Sequence, residues 1–416
     1  MNFDLMKVHR SLMYHYNKSL LLPLYRKLMA KRVKKMRQKD VINVLFVISE
    51  VGPWKTKELY KAMLKHPRFN PTLGVTMSLE VPLAKKALMD FLKQNNFDFV
   101  DLDLDWYLSI DKLHPDIIFY QKPYDWCYRA EVMYNQHLNS LFCNVNYGFH
   151  SVDSSWIVSQ PLYSYVWQQY YENDLVLTPE RLAAMPDKGK QVVITGLPFQ
   201  DQLVQPKEAF ENPWKPQPIA KKKIIYAPHH SIGGKGLALS SFLENCDFML
   251  GLMHQYADKV QWAFKPHPLL YNHLVEIWGQ DKTDAYYNEW KNAENSQFEN
   301  GGYDGLFKYS DAMIHDCDSF TVEYLYAHRP VMFLLQKKET QVARTKLSQK
   351  AFDLHYKAST KEQVEQFILN VIDNIDSKNE EREEFYQSYL VPPHGKSASQ
   401  NIMNAILGEE EYKSIN

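Results

Sequence analysis

A pattern that runs, stops and restarts constrains this chain more than any other feature. Short apolar runs alternate with longer stretches of helical spacing between residues 41 and 196, beginning with VINVLFVI at 41–48. The pattern breaks at ENPWKPQPIAKK (211–222), too rich in Pro and Lys to continue strand or helix, and begins again with KIIYAP at 223–228. Strands of four to eight apolar residues separated by helices predict parallel sheets covered on both faces, not a sandwich. A length of 416 residues also exceeds what one ordinary core holds. The expected architecture is α/β and GT-B-like: two Rossmann-like, doubly wound parallel-sheet domains facing a cleft. The boundaries read from the pattern are a basic arm at 1–40, an acceptor domain at 41–208, a linker at 209–222, a nucleotide-donor domain at 223–390, and a C-terminal helix at 391–416 crossing back toward the first domain.

Within the first half, further strands are expected at 72–78, 114–120, 141–145, 174–178 and 191–196, with a helix at 81–95. In the second half they are expected at 260–265, 311–316 and 330–334, with helices at 238–256, 361–375 and 395–407.

Charge is distributed unevenly. Residues 1–40 hold 11 Lys and Arg against Asp4 and Asp40, a local balance of +9; with a net charge of -1, the remainder carries about -10. Between residues 25 and 36, Tyr25, Leu28, Met29, Val33 and Met36 recur at helical spacing, with lysines and arginines between them. Such a helix can lie on an anionic membrane with its apolar face down, or pack on the protein's own acidic body. No run of 18 apolar residues suggests a membrane span, and the N-terminus carries no signal-peptide pattern. A basic run confined to one end, with no recognition motif after it, argues against nucleic acid. Cys127, Cys143, Cys246 and Cys317 lack metal-ligand spacing, which predicts no zinc site, no disulfide frame and a reducing compartment.

Three polar clusters fall at predicted strand ends in the second half. His229, His230, Ser231, Gly233, Gly234 and Lys235 follow the strand at 223–228, where glycines let backbone approach a phosphate and Lys235 adds a point charge. His267 lies between two prolines in KPHP (265–268), which fix where its imidazole points. Asp316, Asp318, Ser319 and Glu323 follow the run DAMIHD; Ser319 at a helix start could meet a phosphate, and Glu323 one turn on could accept from ribose hydroxyls. Plain helix capping and turn formation are the alternatives for each. Open α/β sheets bind ligands at this carboxyl edge.

These residues resemble a family. YAP at 226–228, KPHP at 265–268 and SDxxxxDxxSxxxEYxxxxRP at 310–330 resemble the CDP-glycerol glycerophosphotransferases, as do ITGLP at 194–198 with Asp201 and GKSA at 395–398. The second-half pattern is also similar to nucleotide-sugar epimerases and GT-B sugar transferases. The resemblance implies an enzyme that builds teichoic-acid or capsule polymers for the cell envelope. It would move glycerol phosphate, or a similar polyol phosphate, from a CDP-activated donor to a hydroxyl of a lipid-linked or growing glycan, releasing CMP. It implies no cofactor and no metal beyond the donor substrate, and a peripheral place on the cytoplasmic face of the membrane. By position, His267 matches the family's histidine near the reacting phosphates, Ser319 a phosphate-contacting serine, and Glu323 an acidic ribose-side residue. The family's Trp-His-Gly-Thr motif stands here as NYGF (146–149), so His150 takes the place of acceptor-side base. Asp318 replaces a serine of the family's turn, where an acid would repel a pyrophosphate unless it faces hydroxyls of the transferred group. The alternatives are a glycosyltransferase using a UDP- or GDP-sugar, and a non-catalytic assembly subunit.

Overall fold

The computed structural model describes residues 17–104, 110–153, 155–232, 240–336 and 342–412. The chain divides into two compact units. The first gathers the described residues up to Gly148, those from 155 to Asp201, and those from Pro392 onward; the second holds Phe149–Asp153 and Gln202–Val391.

The first unit is built on seven strands: β1 (Ile42–Ile48), β2 (Phe69–Val75), β3 (Phe99–Asp101), β4 (Ile117–Tyr120), β5 (Leu141–Val145), β6 (Val166–Tyr171) and β7 (Val192–Ile194). All pair in parallel, in the order β3-β2-β1-β4-β5-β6-β7. Because both faces are covered, β4 and β5 are buried along their whole length, and apart from Asn144 they read as apolar runs. The strand expected at 174–178 is instead a short 3-10 turn, Asp174–Val176, opened by Asn173 Oδ1 accepting from Leu175 N at 2.8 Å. The sixth strand is the earlier VWQQYY. Its two glutamines hide it from a search for apolar runs. They tolerate burial because Gln168 Oε1 accepts from the Tyr170 hydroxyl at 2.7 Å and Gln169 Nε2 donates to Tyr171 Oη at 2.6 Å.

The basic helix Leu22–Arg37 turns its apolar side toward this fold. Tyr25 and Met36 are buried, and the Tyr25 ring lies 5.7 Å from Phe142 and 5.5 Å from Tyr165. Burying such a side chain contributes about 2 kcal/mol. The exposed side carries Lys27, Lys31, Lys34 and Lys35. Tyr25 and Met36 are thus taken up within the protein, and the outward side carries these lysines beside the exposed Leu24. No helix among the described residues is long and apolar enough to cross a membrane. At the other end of the chain, helix Ala398–Leu407 is fixed to this unit by Asp201, whose carboxylate accepts from Ala398 N at 2.6 Å and Ser399 N at 2.9 Å.

The second unit holds β8 (Lys222–Ala227), β9 (Val260–Phe264), β10 (Ser296–Phe298), β11 (Ala312–His315), β12 (Val331–Leu334) and β13 (Tyr356–Ala358). These too are all parallel, in the order β10-β9-β8-β11-β12-β13. The core beside this sheet centres on Trp262, Phe264 and Trp290, all fully buried. Since β8 has β9 on one side and β11 on the other, the chain reverses its direction of travel across the sheet between β8 and β11. That reversal leaves a crevice at the carboxyl ends of the strands, where open sheets of this kind hold ligands.

Candidate functional site

His315 of β11 lies beside Ala227 of β8, so the residues that follow each strand meet at the reversal point. Asp316 is buried there and braces the loop after β8 from both ends. Its Oδ1 accepts from His229 N at 2.5 Å; its Oδ2 accepts from Ser241 N at 2.6 Å and from the hydroxyls of Ser240 and Ser241 at 3.2 and 3.1 Å. Burial outweighs these bonds and pushes its carboxyl up to about 6. Ser231 is likewise buried and ties the loop: its Oγ lies 2.8 Å from His229 Nδ1 and accepts from Ser240 N at 3.3 Å. Both residues, expected to contact phosphate, brace the loop in the structure. Gly233, Gly234 and Lys235, expected to cradle the phosphate, lie outside the described residues.

His267 follows β9 and is joined to the β8 loop by its backbone N–H, which donates to Pro228 O at 3.0 Å. Three imidazoles gather as a result: ring centres of His230 and His267 are 4.1 Å apart, His229 and His230 4.3 Å, and His229 and His267 5.3 Å. Desolvation, reinforced by neighbouring imidazoles, lowers all three, His229 to about 3 and His267 to about 4. They are neutral at pH 7.

Their nitrogens are close enough to share a cation, so the donor chemistry decides what they suit. His267 Nδ1 accepts from Leu269 N at 3.2 Å, and His229 Nδ1 accepts from Ser231 N at 3.2 Å. A neutral imidazole whose Nδ1 accepts must carry its proton on Nε2. Both rings thus present N–H donors, which fit a phosphate oxygen and oppose a metal ion. His273, which sequence reasoning passed over, points its Nδ1 at His230 O from 2.8 Å and closes the group.

On the other side of the reversal point, Asp318 is buried against Arg344, whose Nε and Nη2 lie 3.1 and 2.9 Å from Asp318 Oδ1. Burial raises the Asp318 carboxyl and Arg344 pulls it back down. The acid is therefore paired, which answers why it is tolerated near a site for anions. Ser319 is exposed, but the helix it opens, Phe320–Glu323, is a single turn that passes into a 3-10 turn. Ser319 has helical backbone angles and its side chain makes no capping bond, so its hydroxyl does not serve the helix as the alternative of plain capping required. Glu323 is buried and one of its carboxylate oxygens accepts from the Tyr303 hydroxyl. Tyr303 also lies over Lys265, whose Nζ is 5.6 Å from its ring centre. Neither Arg344 nor Tyr303 stands in a motif, and no sequence signal identified them.

His150, expected on the first domain, belongs to the second unit with the rest of 149–153. It is buried, and its carbonyl accepts from the Thr345 hydroxyl at 2.7 Å. The structure thus brings His229, His230 and His267 together, fixes Asp318 and His150 to neighbouring stretches of one segment, 343–345, and leaves Glu323 with Tyr303.

Comparison with known proteins follows the same lines. No curated protein matches the sequence. Among solved structures, the wall teichoic acid polymerase TagF superposes with a TM-score of 0.56 at 15% identity, covering 97% of each chain. An S. aureus MnaA–UDP structure gives 0.55 at 15% identity, covering 88% of this chain and 96% of that one. A UDP-GlcNAc 2-epimerase from Neisseria meningitidis bound to UDP-GlcNAc gives 0.53 at 12% identity, covering 88% and 100%. At such identities these likenesses establish the fold, two parallel-sheet α/β units of GT-B type. The family profile described as CDP-Glycerol:Poly(glycerophosphate) glycerophosphotransferase matches residues 158–408, which take in β6 and β7 of the first sheet and all of the second. With more than half of its length matched, this chain belongs to the CDP-glycerol:poly(glycerophosphate) glycerophosphotransferase family and is a glycerol-phosphate-transferring enzyme.

Proposed function

We propose that this enzyme takes glycerol phosphate from CDP-glycerol and places it on the terminal hydroxyl of a lipid-linked glycerol-phosphate chain. The acceptor oxygen attacks the β-phosphorus, the bond to the bridging oxygen of the diphosphate breaks, and CMP leaves. His150 takes the acceptor proton. His229 and His267 donate their Nε2 protons to diphosphate oxygens, with His230 beside them, and Ser319 adds a hydroxyl donor. Aimed donors of this kind supply most of the barrier lowering in phosphoryl transfer. Glu323, steadied by Tyr303, accepts from the donor ribose. No cofactor enters the reaction. The observation that carries this reading is the group of three neutral imidazoles at the point where the second sheet reverses.

The enzyme works at the cytoplasmic face of the membrane, held chiefly by the charge of Lys27, Lys31, Lys34 and Lys35, since Tyr25 and Met36 of the same helix are packed inward. At about 1 kcal/mol for each lysine near an anionic surface, replacing all four with Glu releases the protein from phosphatidylglycerol vesicles at physiological salt. Retention of the quadruple variant would remove this part of the reading. The reaction itself is tested by CMP release from CDP-glycerol with a synthetic lipid bearing a terminal glycerol phosphate, beside UDP-GlcNAc and CDP-ribitol as rival donors. Turnover of the UDP-sugar alone would overturn the choice of donor.

A further inference from the structure

Residues 149–153 follow β5 of the first unit yet belong by their contacts to the second. They form neither strand nor helix, so a separate agent must fix them. Two main-chain hydrogen bonds tie them to 343–345. Asp153 N donates to Ala343 O at 2.7 Å and Thr345 N donates to Ser151 O at 3.0 Å, which pairs Val152 with Arg344 as an antiparallel bridge. The Thr345 hydroxyl, donating to His150 O at 2.7 Å, makes a third link. Thr345 is itself the N-cap of helix Lys346–Asp353. Backbone pairing of such short pieces is weak unless one partner is anchored.

The anchor is Arg344. Its guanidinium lies over the Phe352 ring at 4.0 Å and grips Asp318 immediately beyond β11, the two side chains only 10% and 5% exposed. We propose that Asp318 and Arg344 are positioning residues for His150: the buried ion pair fixes 343–345 to the end of β11, and 343–345 in turn fixes the backbone that carries the histidine. This rests on the reading of His150 as the acceptor-side base. It also gives the acid in the turn after β11 a purpose other than contact with the donor. A serine at 318 could not hold the guanidinium, whereas a carboxylate can.

Losing the pair frees the His150 segment without touching the imidazoles of the donor site. A displacement of about 1 Å at a reacting group costs on the order of 100-fold in rate. The full-length enzyme is assayed with CDP-glycerol and the synthetic lipid acceptor. R344A and D318N are expected to lower kcat about 10- to 100-fold while the donor KM changes by less than about threefold, and to shift the limb of the pH profile that His150 sets. D318E, which keeps the charge, is expected to recover part of the rate. D318N is nearly isosteric and carries the test if R344A does not fold. The double variant H150Q/R344A is expected to be no slower than H150Q. If R344A and D318N turn over at the wild-type rate while H150Q is inactive, the positioning role is overturned and the base assignment stands. Multiplicative losses in the double variant overturn it as well. If H150Q itself retains wild-type turnover, the base assignment falls first.

Discussion

The two sheets place their reversal points between strands of the same relative order, β1 and β4 in one, β8 and β11 in the other, and both are braced alike. In the first unit Gln121, next after β4, accepts through Oε1 from Ser49 N at 2.6 Å and Glu50 N at 3.1 Å. In the second, Asp316, next after β11, accepts from His229 N. A side-chain acceptor after the fourth strand thus holds the loop after the first in each case. The rims differ. Around Gln121, Lys122 lies 2.6 Å from Glu50 and 2.9 Å from Glu80, so charge is met with charge. Beside Asp316 three neutral imidazoles gather, and His229 and His267 carry N–H donors on Nε2. A shared topology supplies the same brace, and the side chains left on the rim decide whether the place is a structural tie or a seat for an anion.

The comparison breaks most visibly at His267. H267A is expected to reduce turnover about 10²- to 10³-fold, the loss typical of one removed oxyanion donor, and to abolish the thermal shift given by CDP-glycerol. Its own melting temperature should move little. K122A should do the reverse: removing the ammonium strands Glu50 and lowers stability by about 1–3 kcal/mol, read from the urea midpoint, with the CDP-glycerol shift intact. A K122A protein that no longer responds to CDP-glycerol would undo the distinction.

Acid sharpens the same contrast. His315 is fully buried, its Nδ1 lies 2.9 Å from Cys317 O, and burial lowers it to about 3. A base lowered on folding binds fewer protons native than unfolded between its ordinary value near 6.5 and its folded one. Its stabilisation is complete above 6.5 and is lost as pH falls through that window. His229 and His267 act in the same direction. Asp316 opposes them: raised to about 6, it binds more protons native than unfolded above its ordinary 3.8, so its contribution declines as pH rises from 3.8 to 6. The histidines outnumber it, and stability should fall from pH 6.5 to 4. H315Q should flatten that limb by up to about 1.4 kcal/mol per pH unit, measured by urea unfolding at each pH. An unchanged slope would contradict the burial argument.

The smallest expected effect is the most specific. If the imidazoles serve as neutral N–H donors, the CDP-glycerol dissociation constant should stay within about twofold between pH 6 and 8. Calorimetry showing about tenfold tighter binding per unit of acidification would mean that imidazolium, not imidazole, holds the diphosphate.

Most of this architecture is legible along the chain because buried parallel strands must be apolar throughout. VINVLFVI and KIIYAP announce themselves for that reason, and a Pro- and Lys-rich break separates the two series. β6 escapes because VWQQYY buries glutamines whose partners, tyrosines two residues away and the distant Ala405 carbonyl, do not show as an apolar run. The motifs also bring His229, His230 and His267 to neighbouring strand ends, since any residue just past a parallel strand must emerge at that edge. What they could not supply is the partner of each group. Ser231 and Asp316 are polar residues in a loop, and only the fold shows their oxygens turned inward on backbone N–H groups. Ser319 looked like a helix start, and only the fold shows that the helix lasts one turn.

The sequence by itself determined the two parallel-sheet units and the edge at which chemistry gathers, since these follow from periodicity and chain direction. The tertiary structure alone decided that Asp318 is paired to Arg344, that His150 belongs with the second unit, and that the basic helix packs Tyr25 and Met36 into its own core. Each of these depends on which side chain meets which across tens of residues of intervening chain, and spacing along a sequence carries no record of such meetings.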